Sequence, residues 1–187
     1  MKCTIERFID GQWIPAGTLT TTDPTSGCGG PCVFEYCLDY AARFLDRPDA
    51  RIGCGYPVNF EHRHEATWPG FMVDLLPQGD GRRRVMGELG RDHRQDGAAN
   101  DWDVLLHGAG NPPGYLRIAE AAARFDNHPH PGFTREEVVE RNETFIEYAT
   151  AHGAPVAGSS GAQGEAPKFL LTLDHAGRWH ADGALPD

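Results

Sequence analysis

Short apolar runs separated by turn-forming residues dominate the first third of the chain. Residues 6–19, ERFIDGQWIPAGTL, carry apolar side chains on both sides of Asp10-Gly11, a pair of residues typical of a tight hairpin turn. Residues 20–31 have the composition of a loop, and residues 32–40, CVFEYCLDY, predict a further strand. We therefore expect β-structure in this part of the chain.

The middle of the chain has the residue spacing and composition of helices. Residues 81–89 alternate basic and apolar positions with an amphipathic spacing. Residues 101–106 place acidic side chains in what would be a first helical turn, where the helix dipole favours them. Residues 115–125, YLRIAEAAARF, consist largely of strong helix formers and predict a helix.

The last third opens with a polar, proline-rich stretch, residues 126–132, which is the best candidate for a linker. Thr134, followed by Glu137 three residues later, forms a capping-box pattern. The helix that it begins is predicted to end at Gly153. Residues 168–181 then predict a hairpin around a central Asp-His-Ala-Gly turn. Together the patterns predict an α+β fold.

Composition narrows the classes of function. The chain has 187 residues, of which 40% are hydrophobic and 24% charged, as in a folded globular protein. Its net charge of −10 argues against a generic nucleic-acid binder, because phosphate backbones select basic surfaces. No stretch approaches the ~20 apolar residues of a membrane span, and the N-terminus lacks the apolar region of a signal peptide. A cytoplasmic protein without a membrane partner is expected.

The five cysteines leave one alternative open. An odd number of cysteines without an export signal is typical of reduced thiols. Cys28, Cys32 and Cys37 are close enough in sequence to suggest a small metal-binding domain, with His62 and His64 as nearby candidate ligands. Zinc sites usually combine two well-separated ligand pairs, and this pattern lacks the second pair. The simpler interpretations are that the cysteines are buried thiols and that His62 and His64 lie on an exposed polar strand edge. We therefore predict no metal.

A glycine- and serine-rich stretch near the C-terminus carries the strongest functional signal. Residues 158–171 read GSSGAQGEAPKFLL. Glycines allow backbone N–H groups to converge on an anion, and Lys168 would add a positive charge where the loop meets a strand. The stretch matches neither of the two common phosphate-binding patterns, GxxxxGK[ST] and GxGxxG. From composition alone, a flexible linker remains the alternative.

Three segments, in order, resemble the HipA-like serine/threonine kinase family. SSGAQGEAPKFLL, residues 159–171, resembles its glycine-rich loop. FMVDLLPQGDGRRRV, residues 71–85, resembles its N-terminal signature. LLHGAGNPPGYLRI, residues 105–118, resembles the segment that follows. The residues of this loop and the C-terminal segment GRWHADGALPD look closest to the YjjJ-like branch of that family.

The resemblance implies both an architecture and an activity. Residues 1–125 would form a HipA-type N-terminal subdomain with a small β-sheet and helices, residues 126–133 a linker, and residues 134–187 the beginning of a kinase-like N-lobe. The implied function is that of a toxin of a type II toxin–antitoxin system. With ATP and Mg²⁺, such a kinase transfers the γ-phosphate to a serine or threonine of a protein target.

The resemblance also assigns roles to individual residues. Five consecutive residues would line the nucleotide, with Lys168 near the phosphates: Ser159, Ser160, Gly161, Ala162 and Gln163. Ser159 and Ser160 are the candidates for autophosphorylation, because the family's usual phosphorylated position aligns with Gly158 here. Four residues separate Gln163 from Lys168, whereas many relatives have one.

Phosphoryl transfer also requires a catalytic aspartate and metal-binding side chains, which in this family lie well downstream of the loop. We therefore expect no catalytic residues within these 187 residues and an active kinase only with the remaining kinase core, from the same or a separate chain. The alternative is a separately encoded, non-catalytic module that binds and inhibits a HipA-type kinase. A helix-turn-helix antitoxin is a further possible partner, through which alone the protein would reach DNA.

The arginine run at positions 82–84 forms a local basic island in this acidic chain. A solvated helix face is the simplest interpretation. The resemblance implies instead that this island helps to pack the N-terminal subdomain onto the kinase core.

Overall fold

The computed structural model describes residues 1–125, 130–152 and 169–181. Its strands are β1 (Lys2–Ile9), β2 (Gln12–Thr20), β3 (Cys32–Tyr36), β4 (Arg63–Glu65), β5 (Leu116–Ile118), β6 (Leu171–Leu173) and β7 (Trp179–Ala181). Its α-helices are α1 (Leu38–Phe44), α2 (Gly70–Leu75), α3 (Gly79–Glu88), α4 (Asp101–Gly108), α5 (Ala119–Ala122), α6 (Arg135–Glu140) and α7 (Glu143–Ala151). Short 3₁₀ turns occupy Pro24–Gly29, Pro48–Ala50, His93–Gln95 and Ala98–Asn100.

Five strands form an antiparallel sheet in the order β4-β3-β2-β1-β5. The predicted hairpin is confirmed: β1 pairs with β2 through a turn at Asp10 and Gly11, both at positive φ. Positive φ at both central residues gives the turn a twist that matches that of the flanking strands. A two-strand ribbon of β6 and β7 confirms the second predicted hairpin. The mixed α+β class predicted from the sequence is therefore correct.

The main hydrophobic core lies on one face of the five-stranded sheet. Cys3, Ile5 and Ile9 alternate along β1 toward this core, as period-two geometry requires. Helices α1 to α5 contribute buried side chains to the same cluster, among them Tyr40, Met72, Val85, Leu105 and Ala121.

Two boundaries differ from those predicted around the third and fifth strands. The strand predicted at 32–40 ends at Tyr36, and Leu38 already begins α1. The prediction of a helix at residues 115–125 was wrong for its first residues, because Leu116–Ile118 form an edge strand paired with β1. Only Ala119–Ala122 are helical. The pairing with β1 buries Leu116 and Ile118, so tertiary contacts override helix propensity here.

The capping box at Thr134 is confirmed, but the helix that it begins is much shorter than predicted. The Thr134 hydroxyl accepts the N–H of Glu137, and the Glu137 carboxylate accepts the N–H of Thr134. Arg141 then adopts a left-handed conformation with φ of 51° and ends α6. The Asn142 side chain accepts the N–H of Phe145 and so starts a separate helix, α7. An asparagine favours such helix starts over helix interiors.

A second, smaller apolar cluster unites the described residues beyond position 130. We call it the C-terminal cluster: Phe133, Phe145, Tyr148, Ala149 and Ala181. Backbone bonds in both directions between Phe133 and Trp179, of 2.9 and 2.8 Å, hold the hairpin against residues 132–134. Helix α7 and the β6–β7 hairpin therefore share this cluster.

Candidate functional site

The residues predicted to bind the nucleotide lie outside the described residues. These are Ser159, Ser160, Gly161, Ala162, Gln163 and Lys168. Their roles stay predictions. The described elements on either side of them are α7, which ends at Ala151, and β6, which begins at Leu171.

These two flanking elements pack against one another. The Ala181 N–H donates to the Tyr148 hydroxyl at 3.1 Å and so joins β7 to α7. The ring of Phe145 on α7 lies 5.4 Å from that of Phe169, two residues before β6. The two described elements that flank the glycine-rich sequence, α7 and the β6–β7 hairpin, are therefore both part of the C-terminal cluster.

The turn between β6 and β7 is built on Asp174. Its Oδ1 accepts the N–H groups of Ala176 and Arg178, and its Oδ2 lies 2.9 Å from Nε2 of His180. These hydrogen bonds hold the pKa of the Asp174 carboxyl below its usual range. Gly177, at φ of 78°, supplies the left-handed residue that the turn needs.

A cleft of about 420 Å³ opens on the part of the structure that residues 1–125 form, and its volume is within the size range of small-ligand sites. Three segments distant in sequence line it: residues 52–56, residues 70–75 and residues 113–116. Three aromatic residues, Tyr56, Phe71 and Tyr115, are among its lining residues, as are four glycines: Gly53, Gly55, Gly70 and Gly114.

Two tyrosines, of which Tyr36 is buried, hold residues 52–56 in place along the cleft. The Tyr36 hydroxyl accepts the N–H of Ile52 at 3.0 Å and donates to the carbonyl of Tyr56. Burial raises the pKa of the Tyr36 hydroxyl, so it stays protonated as this donor role requires. The Tyr56 ring packs edge-on against Phe71 at 4.9 Å, and its hydroxyl donates to Glu65 at 2.9 Å.

Arginine guanidinium groups lie over two of the aromatic rings that line the cleft, those of Tyr115 and Tyr56. Arg7 is 9% exposed, and its guanidinium lies 4.3 Å from the centre of the Tyr115 ring while donating to the carbonyl of Arg51 at 2.8 Å. Arg63 lies 4.2 Å from the Tyr56 ring. The one carboxylate of the lining is that of the exposed Asp74, for which the described parts of the chain provide no ion pair. The cleft thus combines three aromatic side chains with a carboxylate that has no ion pair among the described residues.

The sequence did not indicate this cleft. Its residues come from one short helix and two segments far from it in sequence, and no pattern of spacing connects them. The only signal was indirect: Phe71 and residues 113–116 fall within two of the segments that resemble the kinase family.

The three arginines of the basic island all pair with acidic side chains, either on the same helix or on neighbouring residues. Arg82 lies on α3 with its side chain 12% exposed and pairs with Asp96 and Asp101. Arg83 pairs with Asp80, and Arg84 with Glu88. Arg82 is therefore a structural residue rather than part of a solvated face.

The cysteine alternative receives no geometric support within the described ranges. No group of three metal-binding side chains comes together there. Burial raises the pKa of the Cys28, Cys32 and Cys37 thiols, which disfavours the thiolate that a metal requires. His62 and His64 are exposed, and His62 Nδ1 lies 2.7 Å from the Glu35 carboxylate.

Comparison with known proteins gives no family for the chain: no protein-family model and no curated protein matches its sequence. In the parts of the chain that the structure covers, we find no helix with the length and apolar character needed to cross a membrane.

Proposed function

We propose that this chain is the N-terminal part of a HipA-like serine/threonine kinase, a toxin of a type II toxin–antitoxin system. With ATP, Mg²⁺ and the remaining kinase core, it would transfer a γ-phosphate to a protein target. The proposal rests on the three ordered sequence resemblances. The chain would supply the glycine-rich loop, and the kinase core would supply the catalytic aspartate and the metal-binding side chains.

One packing relationship supports the proposal. Two of the resembling segments, residues 71–85 and 105–118, contact each other through a glycine. A Cβ built at Gly108 would lie 2.5 Å from Cγ of Pro77 and 2.8 Å from Cγ2 of Val85. The Leu-Leu-Pro turn and the Gly-Ala-Gly segment are thus parts of one structural unit, as segments that characterise one subdomain should be.

The chain order around the glycine-rich stretch also fits a phosphate loop. A loop that binds phosphates through backbone amides needs rigid elements at both ends to fix the direction of those amides. Here α7 precedes the stretch and the β6–β7 hairpin follows it, and both are anchored in the C-terminal cluster. A free linker would not need such anchoring.

The cleft favours a second candidate function, the non-catalytic module that binds a partner. Its aromatic side chains and the Asp74 carboxylate, which has no ion pair among the described residues, suit an extended segment of a partner protein that carries an apolar side chain next to a basic one. The partner would be the kinase core or a helix-turn-helix antitoxin. If the partner is that antitoxin, it would also provide the only route to DNA.

Nucleotide binding by the intact protein separates the two candidates. ATP with Mg²⁺ would be titrated by calorimetry into the wild type, into Lys168→Ala and into Lys2→Ala as a matched control. Lys2 is exposed and pairs with Glu35, far in sequence from the glycine-rich stretch. We expect Lys168→Ala to weaken ATP binding at least about tenfold, the loss of about 1.4 kcal/mol, and Lys2→Ala to leave it unchanged. Absence of ATP binding by the intact wild type would leave the partner-binding module as the better interpretation.

A further inference from the structure

Asp74 carries the only charged side chain among the described residues that line the cleft. It lies on α2, which buries Met72 and Leu75 in the main core and leaves Asp74 exposed. Its carboxylate has no ion pair among the residues that the structure describes. A ligand of this cleft should therefore carry a positive charge, because a ligand carboxylate or phosphate would be repelled by Asp74.

Two of the aromatic rings in the cleft already have a cation close to them. The guanidinium of Arg7 lies 4.3 Å from the centre of the Tyr115 ring, and that of Arg63 lies 4.2 Å from the centre of the Tyr56 ring. Neither arginine lines the cleft. A further cation placed over the same rings would be repelled by these charges. The rings therefore offer apolar contact, and the positive charge of a ligand should lie at Asp74 instead.

The rim of the cleft is exposed main chain on all three segments. Gly55, Gly70 and Gly114 are exposed, and a Cβ built at any of them would meet no atom within 4 Å. Tyr115 leaves 50% of its surface exposed. Sites for free small molecules usually bury most of the ligand's surface, and this rim does not enclose a ligand in that way. Glycine backbone instead allows another polypeptide to lie across the rim while one of its side chains enters the cleft.

From these three observations we infer that the cleft binds an arginine side chain of a partner protein. The methylene groups of this arginine would lie along the rings of Phe71 and Tyr115, and its guanidinium would bind the carboxylate of Asp74. Arginine buries its aliphatic stem on apolar surface while its charge stays at a polar group. Its planar guanidinium can bind both oxygens of a carboxylate, whereas the ammonium group of lysine acts as a point charge.

The inference rests on the second candidate function, in which the chain binds a partner, and it names the group that is recognised. Because Asp74 is exposed, its ion pair should change the affinity only modestly, by about two- to fivefold. A neutral ligand of the same shape separates this effect from the apolar contact. Citrulline is such a ligand, because it replaces the guanidinium of arginine by an uncharged urea group.

An NMR titration of the whole chain tests the inference with two probes, N-acetylarginine methylamide and N-acetylcitrulline methylamide. The amide signals of Gly55 and Gly114 report on the cleft, and that of Gly177 in the β6–β7 turn is the reference. In the wild type, we expect the arginine probe to bind about two- to fivefold more tightly than the citrulline probe. This ratio should fall to about one in Asp74→Asn. It should stay unchanged in Asp46→Asn, which removes the same charge at an exposed position outside the cleft.

Equal affinities for the two probes in the wild type would overturn the inference, and so would a ratio that persists in Asp74→Asn. Because Asp74 is exposed, the variant should fold, and the dispersion of its amide signals shows this directly. A third probe, n-butylguanidinium, lacks the flanking peptide groups. If it bound about tenfold more tightly than the arginine probe, the cleft would take a free small cation, and the assignment to a partner's side chain would be wrong.

Failure of the partner-binding function would appear in a different measurement. If neither the kinase core nor the antitoxin bound the wild type, that function would be wrong, whereas the titration with the two probes would give the same result. Conversely, a partner that bound the wild type and Asp74→Asn equally well would support the partner-binding function and overturn the arginine assignment.

Discussion

The carboxylate of Asp101 accepts the backbone N–H of Cys28 at 2.9 Å, across 73 residues of sequence. Its other oxygen accepts Nη2 of Arg82 at 2.8 Å. Asp101 is 5% exposed, and Gly27 approaches so closely that a Cβ there would meet the carboxylate. One buried acid thus fixes the loop before β3 and the helix α3 to the start of α4.

Replacing Asp101 by asparagine should therefore destabilise the part of the fold that residues 1–125 form. An amide can accept from only one of the two donors, and its NH₂ group would face the other. We expect a loss of about 1–3 kcal/mol in the free energy of unfolding, measured by urea denaturation. Asp103→Asn is the control, because Asp103 makes a more exposed ion pair with Arg91 and should cost less than about 1 kcal/mol. Equal losses in the two variants would show that Asp101 does not connect these elements.

Gly108 permits the close contact between the two segments that resemble the kinase family. Because a methyl group at this position would overlap Pro77 and Val85, we expect Gly108→Ala to destabilise the protein by about 1–3 kcal/mol. Gly87→Ala tests the same substitution in α3, where no atom lies within 4 Å of the added carbon. It should be neutral or stabilising by up to about 1 kcal/mol, because alanine is the better helix former. A Gly108→Ala variant as stable as wild type would contradict the close packing.

Thiol labelling should distinguish the cysteines by their surroundings. Cys54 is exposed in the cleft, whereas burial raises the pKa of Cys3 to about 12 and that of Cys32 to about 11. At pH 8 the folded protein should therefore react with iodoacetamide rapidly at Cys54 and hardly at Cys3 or Cys32, which hold almost no thiolate. Mass spectrometry of labelled peptides gives the order, and Cys54→Ser should remove the fast phase. Rapid labelling of Cys3 would indicate that the sheet opens readily.

Elements with strong local signals were predictable from the sequence, and those set by distant contacts were not. The Asp10-Gly11 turn and the Thr134 capping box specify their own geometry through backbone conformation and local hydrogen bonds. The strand at Leu116–Ile118 is different, because only its pairing with β1 overcomes the helix propensity of the sequence around it. The break at Arg141 likewise depends on the Asn142 cap competing with helix continuation. The cleft could not be predicted, because its three segments meet only in the folded chain.

The serines of the glycine-rich stretch test the predicted autophosphorylation, which we expect to switch off nucleotide binding. Phosphates on Ser159 or Ser160 would each place a charge of about −2 beside the nucleotide's own phosphates, and repulsion should exclude ATP. In the intact protein, once ATP binding by the wild type is established, the double variant Ser159→Asp, Ser160→Asp should bind ATP at least about tenfold more weakly. The double alanine variant removes the hydroxyls without adding charge and should stay within about threefold of wild type. Unchanged affinity in the aspartate variant would mean that these serines do not face the nucleotide, and the autophosphorylation assignment would fail.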